Sequence, residues 1–295
     1  MVAGIAAALL AVTVQSAPAF AADEPIDTLS VVESQGLLGA AAALPHVAQE
    51  SQQSTTLQRM AAESGTPSPE RVQISPVTDA TAEQVDRLGA TVQDSPSYGF
   101  VTGLSSSGAN ASFVVIKDST APDAYDFTVG EASTQLTLNG DGSVTVTKAD
   151  GTWVNKISAP WAKDANGKDL ETSYTVSGNV ITQSVSLEGA AFPVTADPTS
   201  ECGVGWCSVY LNRDETRDLS NGSPAGTAAF AAGCLALGGP WASAACAAGA
   251  GIAAGTAAVA YGQGNCVGAV GYLVPPVFLP SWNPFIEPRG TVHCP

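Results

Sequence analysis

The chain has 295 residues, 27 of them acidic and 11 basic, for a formal net charge of −16 at pH 7. Such a field repels phosphate backbones and anionic lipid, and no Lys/Arg run offsets it, so no nucleic-acid partner is expected. The length allows about two domains, and only 13% of residues are charged, against about a quarter in ordinary soluble domains.

Residues 1–21 read as a secretory signal peptide. Val2 to Val14 is an apolar core, and Ala19-Phe20-Ala21 is a small-x-small cleavage site ahead of Ala22-Asp23-Glu24. An uncleaved anchor is the alternative, but the core falls short of the roughly 20 residues a spanning helix needs.

Residues 22–95 read as a low-complexity, disordered segment. Gln, Ser, Thr, Glu and Pro dominate Gln49 to Ser68, a composition that buries too little surface to offset the entropy of ordering. Two apolar runs, Leu29 to Leu44 and Ala82 to Val92, are helix candidates within it.

Residues 96–198 switch to period two. Ser112–Lys117, Ala124–Val129, Gln135–Leu138, Ser143–Thr147, Thr152–Ile157, Thr172–Val176 and Val180–Val185 are predicted strands. Asn139-Gly140-Asp141-Gly142, Asp150-Gly151 and Ser177-Gly178-Asn179 supply the tight turns between them. Strands at this spacing indicate an antiparallel β-sandwich or open barrel. Its predicted core is Val144, Val146, Trp153, Ile157, Tyr174, Val176, Ile181 and Val185.

The run Pro160-Trp161-Ala162-Lys163-Asp164-Ala165-Asn166-Gly167, then Tyr174 to Asn179, then Phe192-Pro193-Val194-Thr195-Ala196-Asp197-Pro198, resembles a β-module of secreted actinobacterial proteins. That module is an uncharacterised segment preceding variable C-terminal regions. The cysteine spacing of the last third also resembles that of uncharacterised secreted actinobacterial proteins. The resemblance implies a fold and an extracellular location, and it carries over no functional residue.

Residues 199–295 form the third part. From Leu219 to Ile286 there is no Lys, Arg, Asp, Glu or His. Two Ala/Gly-rich helices flank Gly238-Gly239-Pro240, and Gly251 and Gly255 mark a close-packing face. Asn212 with Glu215 has the form of a capping box, and the prolines at 275, 276, 280, 284 and 288 exclude a regular helix near the end. All six cysteines lie here: Cys202, Cys207, Cys234, Cys246, Cys266 and Cys294. An exported chain with an even number of cysteines indicates disulfides rather than metal ligands. Cys202–Cys207 closes a short loop, Cys234 and Cys246 straddle the Gly-Gly-Pro break, and Cys266–Cys294 would pin the tail. The predicted fold class is therefore α+β, an antiparallel β-domain followed by a disulfide-stapled helical hairpin.

Little in the sequence carries chemistry. The two histidines, His46 and His293, lie in a sparse segment and beside the end of the chain. Gly103-Leu104-Ser105-Ser106-Ser107-Gly108 mimics a nucleophile elbow, but Ser107 stands where the second Gly belongs. Asp164-Ala165-Asn166-Gly167-Lys168-Asp169 fails the spacing of a calcium loop. No catalytic, cofactor or metal residue is assigned. The leading expectation is a secreted, non-enzymatic protein whose β-domain presents a stapled binding domain to another protein or an envelope component. One alternative is a secreted hydrolase using Asp214, Glu215 or Asp218. The other is a membrane-active toxin built on the uncharged helices, which the weak apolarity of Ala and Gly disfavours.

Overall fold

The structure, a computed structural model, describes residues 25–39, 47, 69–236, 242–272, 282–289 and 293–294. The expected signal segment and the polar run Gln49–Ser68 lie outside the described residues. Four antiparallel sheets and four helices make up the described elements.

The first sheet has the order β1-β6-β12-β11, with β1 at Ile74–Pro76, β6 at Ala124–Val129, β11 at Thr172–Ser177 and β12 at Val180–Val185. Side-chain alternation builds it: Tyr125, Phe127 and Val129 on β6 and Ile181, Gln183 and Val185 on β12 point inward. Gly178, at φ +58°, makes the turn from β11 to β12. The second sheet runs β10-β13-β5-β4-β3-β2. Its strands are β2 (Ala82–Val85), β3 (Ala90–Asp94), β4 (Tyr98–Leu104), β5 (Asn110–Ile116), β10 (Ala162–Lys163) and β13 (Val194–Ala196). β5 is buried continuously from Ala111 to Ile116 because protein covers both its faces. Val114 and Ile116 share a core with Phe100, Phe127 and Ile181. Ala111, Phe113 and Val115 pack instead with Val31 and Val32 of α1 (Thr28–Ser34). A third sheet, β7 (Gln135–Leu138), β8 (Val144–Thr147) and β9 (Trp153–Ile157), adds Val144, Val146 and Ile157 to the first core.

The described residues before residue 96 depart from the expectation of disorder, whereas Gln49–Ser68, the run that prompted it, lies outside them. Thr28–Ser34 is helical, with Asp27 accepting from the Ser30 N–H at 2.8 Å. Ala82–Val92 is not a helix but most of the β2–β3 hairpin, turned by Gly89 at φ +61°. β2 exposes Ala82, Glu83 and Gln84 on the sheet edge, so it has almost no apolar pattern to announce it.

The fourth sheet has the order β14-β15-β16-β17, from β14 (Cys202–Gly203), β15 (Trp206–Tyr210), β16 (Cys266–Tyr272) and β17 (Trp282–Glu287). Cys207, Val209, Val267 and Ala269 share a core with Phe230, Ala253 and Ala257. These last come from α3 (Pro224–Ala236) and α4 (Ala242–Gly262), which follow α2 (Arg213–Ser220). Trp206 and Val270 pack the other way, against Leu104 and Ala109 at the β4–β5 connection. Disulfides join Cys202–Cys207, Cys234–Cys246 and Cys266–Cys294, with Cα separations of 4.1, 5.6 and 5.6 Å. Buried Asn155 ties the sheets together: its amide donates to the Cys202 carbonyl at 2.9 Å and accepts from the Cys202 N–H at 3.2 Å.

Gly251 and Gly255 are not the packing face of α4. A Cβ at either would meet nothing among the described residues, whereas Ala250, Ala253, Ala257 and Ala260 face inward. The close approach lies at Gly249, where a Cβ would strike Trp282 and Phe230. Among the described residues, no helix is long and apolar enough to cross a membrane.

Asn212 caps α2 by accepting from the Glu215 N–H at 3.0 Å, while Glu215 Oε2 accepts from the Asn212 N–H at 2.9 Å. Asn212→Ala is expected to lower stability by about 1 kcal/mol. Urea denaturation reads this, and an unchanged midpoint would show that the cap contributes nothing.

Candidate functional site

Alternation along β15 creates the site. Cys207 and Val209 turn toward the helices, so Trp206 and Tyr210 turn toward the other sheets. The Cys266–Cys294 bridge brings His293 to Tyr210, and the two rings stack with centroids 3.6 Å apart and 11° between planes. Phe285 meets Tyr210 edge-on at 5.7 Å and 78°.

Tyr210 lies in the wall of three cavities. The first is a cleft of about 510 Å³ over the fourth sheet, lined by Val270, Tyr272, Pro284, Phe285 and Ile286, with Ser106, Ser107, Asn283 and Glu287 as its polar groups. The second, of about 350 Å³, is polar and takes Asp141, Lys156, Ser158, Trp161, Glu201 and His293 into its wall. A pocket of about 30 Å³ shares Ser106, Ser107 and Glu287 with the first and Trp161 and His293 with the second.

The electrostatics differ between the cavities. Desolvation pushes His293 down to about 4, so its ring is neutral at neutral pH. Desolvation also raises Tyr210, with the Ser107 hydroxyl opposing, so the phenol stays protonated. In the polar cavity, burial raises Glu201 above the ordinary carboxyl range, against the attraction of Lys156 and a hydrogen bond from Ser158 at 3.1 Å. Asp141 moves the other way. Burial would raise it, but Ser143, donating through its hydroxyl and its N–H, and Lys156 at 3.6 Å together hold it below its ordinary value.

The candidates from the sequence are placed as follows. His46 lies outside the described residues. His293 and Ser107 do line one small pocket, but a ring that gains its proton only near pH 4 is a weak general base. Ser107 Oγ is hydrogen-bonded to Ser105 Oγ at 2.8 Å, and Gly108, at φ +87°, closes a turn between β4 and β5. Asp214 and Asp218 pair with Arg217 at 3.0 and 3.2 Å, and Glu215 completes the cap of α2. None of these three carboxylates lines the cavities above. Asp164 anchors a turn by accepting from the N–H groups of Asn166, Lys168 and Ala191 at 2.9, 3.0 and 3.2 Å. Among the described residues, no group of three or more His, Cys, Asp or Glu side chains could hold a metal ion.

Sequence reasoning missed Tyr210, Tyr272, Phe285, Asp141, Lys156 and Glu201. For Tyr210 the signal was present, because it shares a strand face with Trp206, opposite Cys207. Compared with protein-family models, curated proteins and solved structures, the chain matches none.

Proposed function

We propose that this protein acts by binding outside the cell, and that its ligand, an uncharged saccharide chain of a cell envelope, lies in the cleft over the fourth sheet. The observation that carries this reading is the aromatic wall of Tyr210, Tyr272 and Phe285 beside the hydroxyls of Ser106 and Ser107 and the amide of Asn283. Aromatic faces suit the apolar faces of sugar rings, and a few placed polar groups fix orientation, the usual composition of a ligand pocket. Glu287 in the cleft wall and the net charge of −16 disfavour an anionic ligand. Three disulfides accord with an oxidising, extracellular setting. On this reading the β-sheets present the stapled sheet, a binding role rather than catalysis, since His293 is a poor base.

Calorimetric titration of the full chain with soluble chito-oligosaccharide tests the reading. Phe285→Ala and Tyr272→Ala are each expected to weaken binding about tenfold, equivalent to about 1.4 kcal/mol. No binding to this or other neutral glycans, or capture of a proline-rich peptide in their place, would overturn the saccharide reading. Turnover of the glycan, lost in Glu215→Gln, would replace it with a hydrolase.

A further inference from the structure

The run from Asp197 to Glu201 connects the β-sheets to the stapled fourth sheet. Asp197 follows β13 and is fully buried. Neither oxygen of its carboxyl makes a well-formed hydrogen bond among the described residues, although Thr199 and Trp161 lie close enough to interact with it. Its own main-chain carbonyl is held differently: it accepts from the hydroxyl of buried Tyr174 at 2.8 Å. The next residue is Pro198, and this is the sole Asp-Pro bond in the chain. All three disulfides lie on its C-terminal side, from Cys202 to Cys294, and none crosses it.

We propose that the folded chain cleaves its own Asp197–Pro198 peptide bond, freeing the disulfide-stapled region from its covalent link to the β-sheets. A carboxyl oxygen of Asp197 attacks the Asp197 carbonyl carbon and closes a five-membered cyclic anhydride. The bond from that carbon to the Pro198 nitrogen breaks. The carboxyl proton passes to the prolyl nitrogen, which leaves as a secondary amine. One water then opens the anhydride, which restores the side-chain carboxyl and leaves a new C-terminal carboxyl on Asp197. The sum is hydrolysis of one peptide bond, with no cofactor and no change of oxidation state.

Each group has a part in this. The Tyr174 hydroxyl donates to the oxygen that becomes negative as the carbonyl is attacked. The carboxyl and the carbonyl it attacks belong to one residue, so little entropy of encounter opposes the step. Burial raises the Asp197 carboxyl to about 7, with Thr199 and Trp161 near enough to oppose the rise. The proton that the leaving nitrogen needs is therefore still present near neutral pH. Tyr174 is the titratable group facing Asp197, and burial pushes it up as well, so it remains a donor. The nearest described cavity is the small pocket with Trp161 and Thr199 in its wall, and the water that opens the anhydride has to come from that side. After cleavage the halves stay in contact through Asn155 and the Ile157–Ser200 bridge, so release is controlled by unfolding or by a competing partner.

The inference is independent of the ligand in the cleft. The test incubates the full-length chain at pH 5.5 and pH 8, folded and in denaturant, and follows it by intact mass and N-terminal sequencing. The folded chain is expected to yield a fragment beginning at Pro198, faster at pH 5.5. A product already cleaved on purification is the same result, provided that Asp197→Asn purifies whole. Asp197→Asn is expected to lose cleavage at least tenfold. Tyr174→Phe, which keeps the ring but leaves the Asp197 carbonyl without its donor, is expected to slow cleavage at both pH values while the chain still unfolds cooperatively in urea. An intact folded chain after days at pH 5.5 would overturn the proposal. Equal rates for folded and denatured chain would overturn it too, reducing the event to the general acid lability of Asp-Pro.

Discussion

Replacing Cys266 and Cys294 together with Ala is expected to lower stability by about 3–4 kcal/mol and to weaken ligand binding at the Tyr210 cleft. The bridge spans a sequence separation of 28, so its loss returns substantial freedom to the unfolded chain. Its Cα separation of 5.6 Å is relaxed, so no native misfit offsets the effect. The same bridge holds residue 293 against Tyr210, and without it the stacked ring is tethered only through the chain. The Cys202→Ala/Cys207→Ala pair is the comparison. Its separation is 5, and the same entropy argument gives about 2 kcal/mol. Guanidinium denaturation of both variants, with calorimetric titration at 25 °C, reads the two effects. A loss below about 1 kcal/mol for the longer bridge, or a smaller loss than for the shorter one, would remove the chain-entropy account. Unchanged affinity would show that His293 does not shape the cleft.

The β-sheets were legible where alternation was local. Val144, Val146, Ile157, Tyr174, Ile181 and Val185, picked out by period two, are all buried in one core. Val176 only borders that core, and Trp153 borders the core shared by the fourth sheet and the helices instead. Cys202–Cys207 and Cys234–Cys246 were legible because each is set by short-range geometry, a loop with two glycines and a helix break, while Cys266–Cys294 had only the proline-rich tail to suggest it. The β2–β3 hairpin was not, because an exposed edge strand needs no apolar face. The packing face of α4 was misassigned because a helix of Ala and Gly has nearly the same character all round, so only the partner decides which side is buried. The candidate site was illegible for another reason. Asp141 sits in a turn, Lys156 on β9, Glu201 in the connection, Tyr210 at the end of β15, and His293 near the end of the chain. Nothing local links them. The pairing of Ile157 with Ser200 and the Cys266–Cys294 bridge bring them to one seam.

Asp197→Asn is expected to stabilise the protein at pH 8 by on the order of 4 kcal/mol and to change little at pH 4. Burial is the cause, raising the carboxyl from its ordinary 3.8 to about 7. Below about pH 4 the folded and unfolded chains both hold the proton, and a neutral carboxyl and a carboxamide occupy the site at similar cost. As pH rises from there toward 7, the unfolded chain gives the proton up while the folded chain keeps it. The unfolded state is stabilised relative to the folded state over this window, so folding weakens. Above about pH 7 the penalty is complete, and Asn, which does not titrate, avoids it. Urea midpoints at pH 4, 6 and 8, each with intact mass verified before unfolding, measure the divergence. A constant difference across the three would show that Asp197 does not titrate in this range, and an Asn variant less stable at pH 8 would reverse the argument. Tyr174 and Asp197 would then owe their burial to packing alone. With the expected divergence, an acid held at this cost at the joint between two cores keeps a proton where an exposed aspartate would have lost it, and self-cleavage at Pro198 requires that proton.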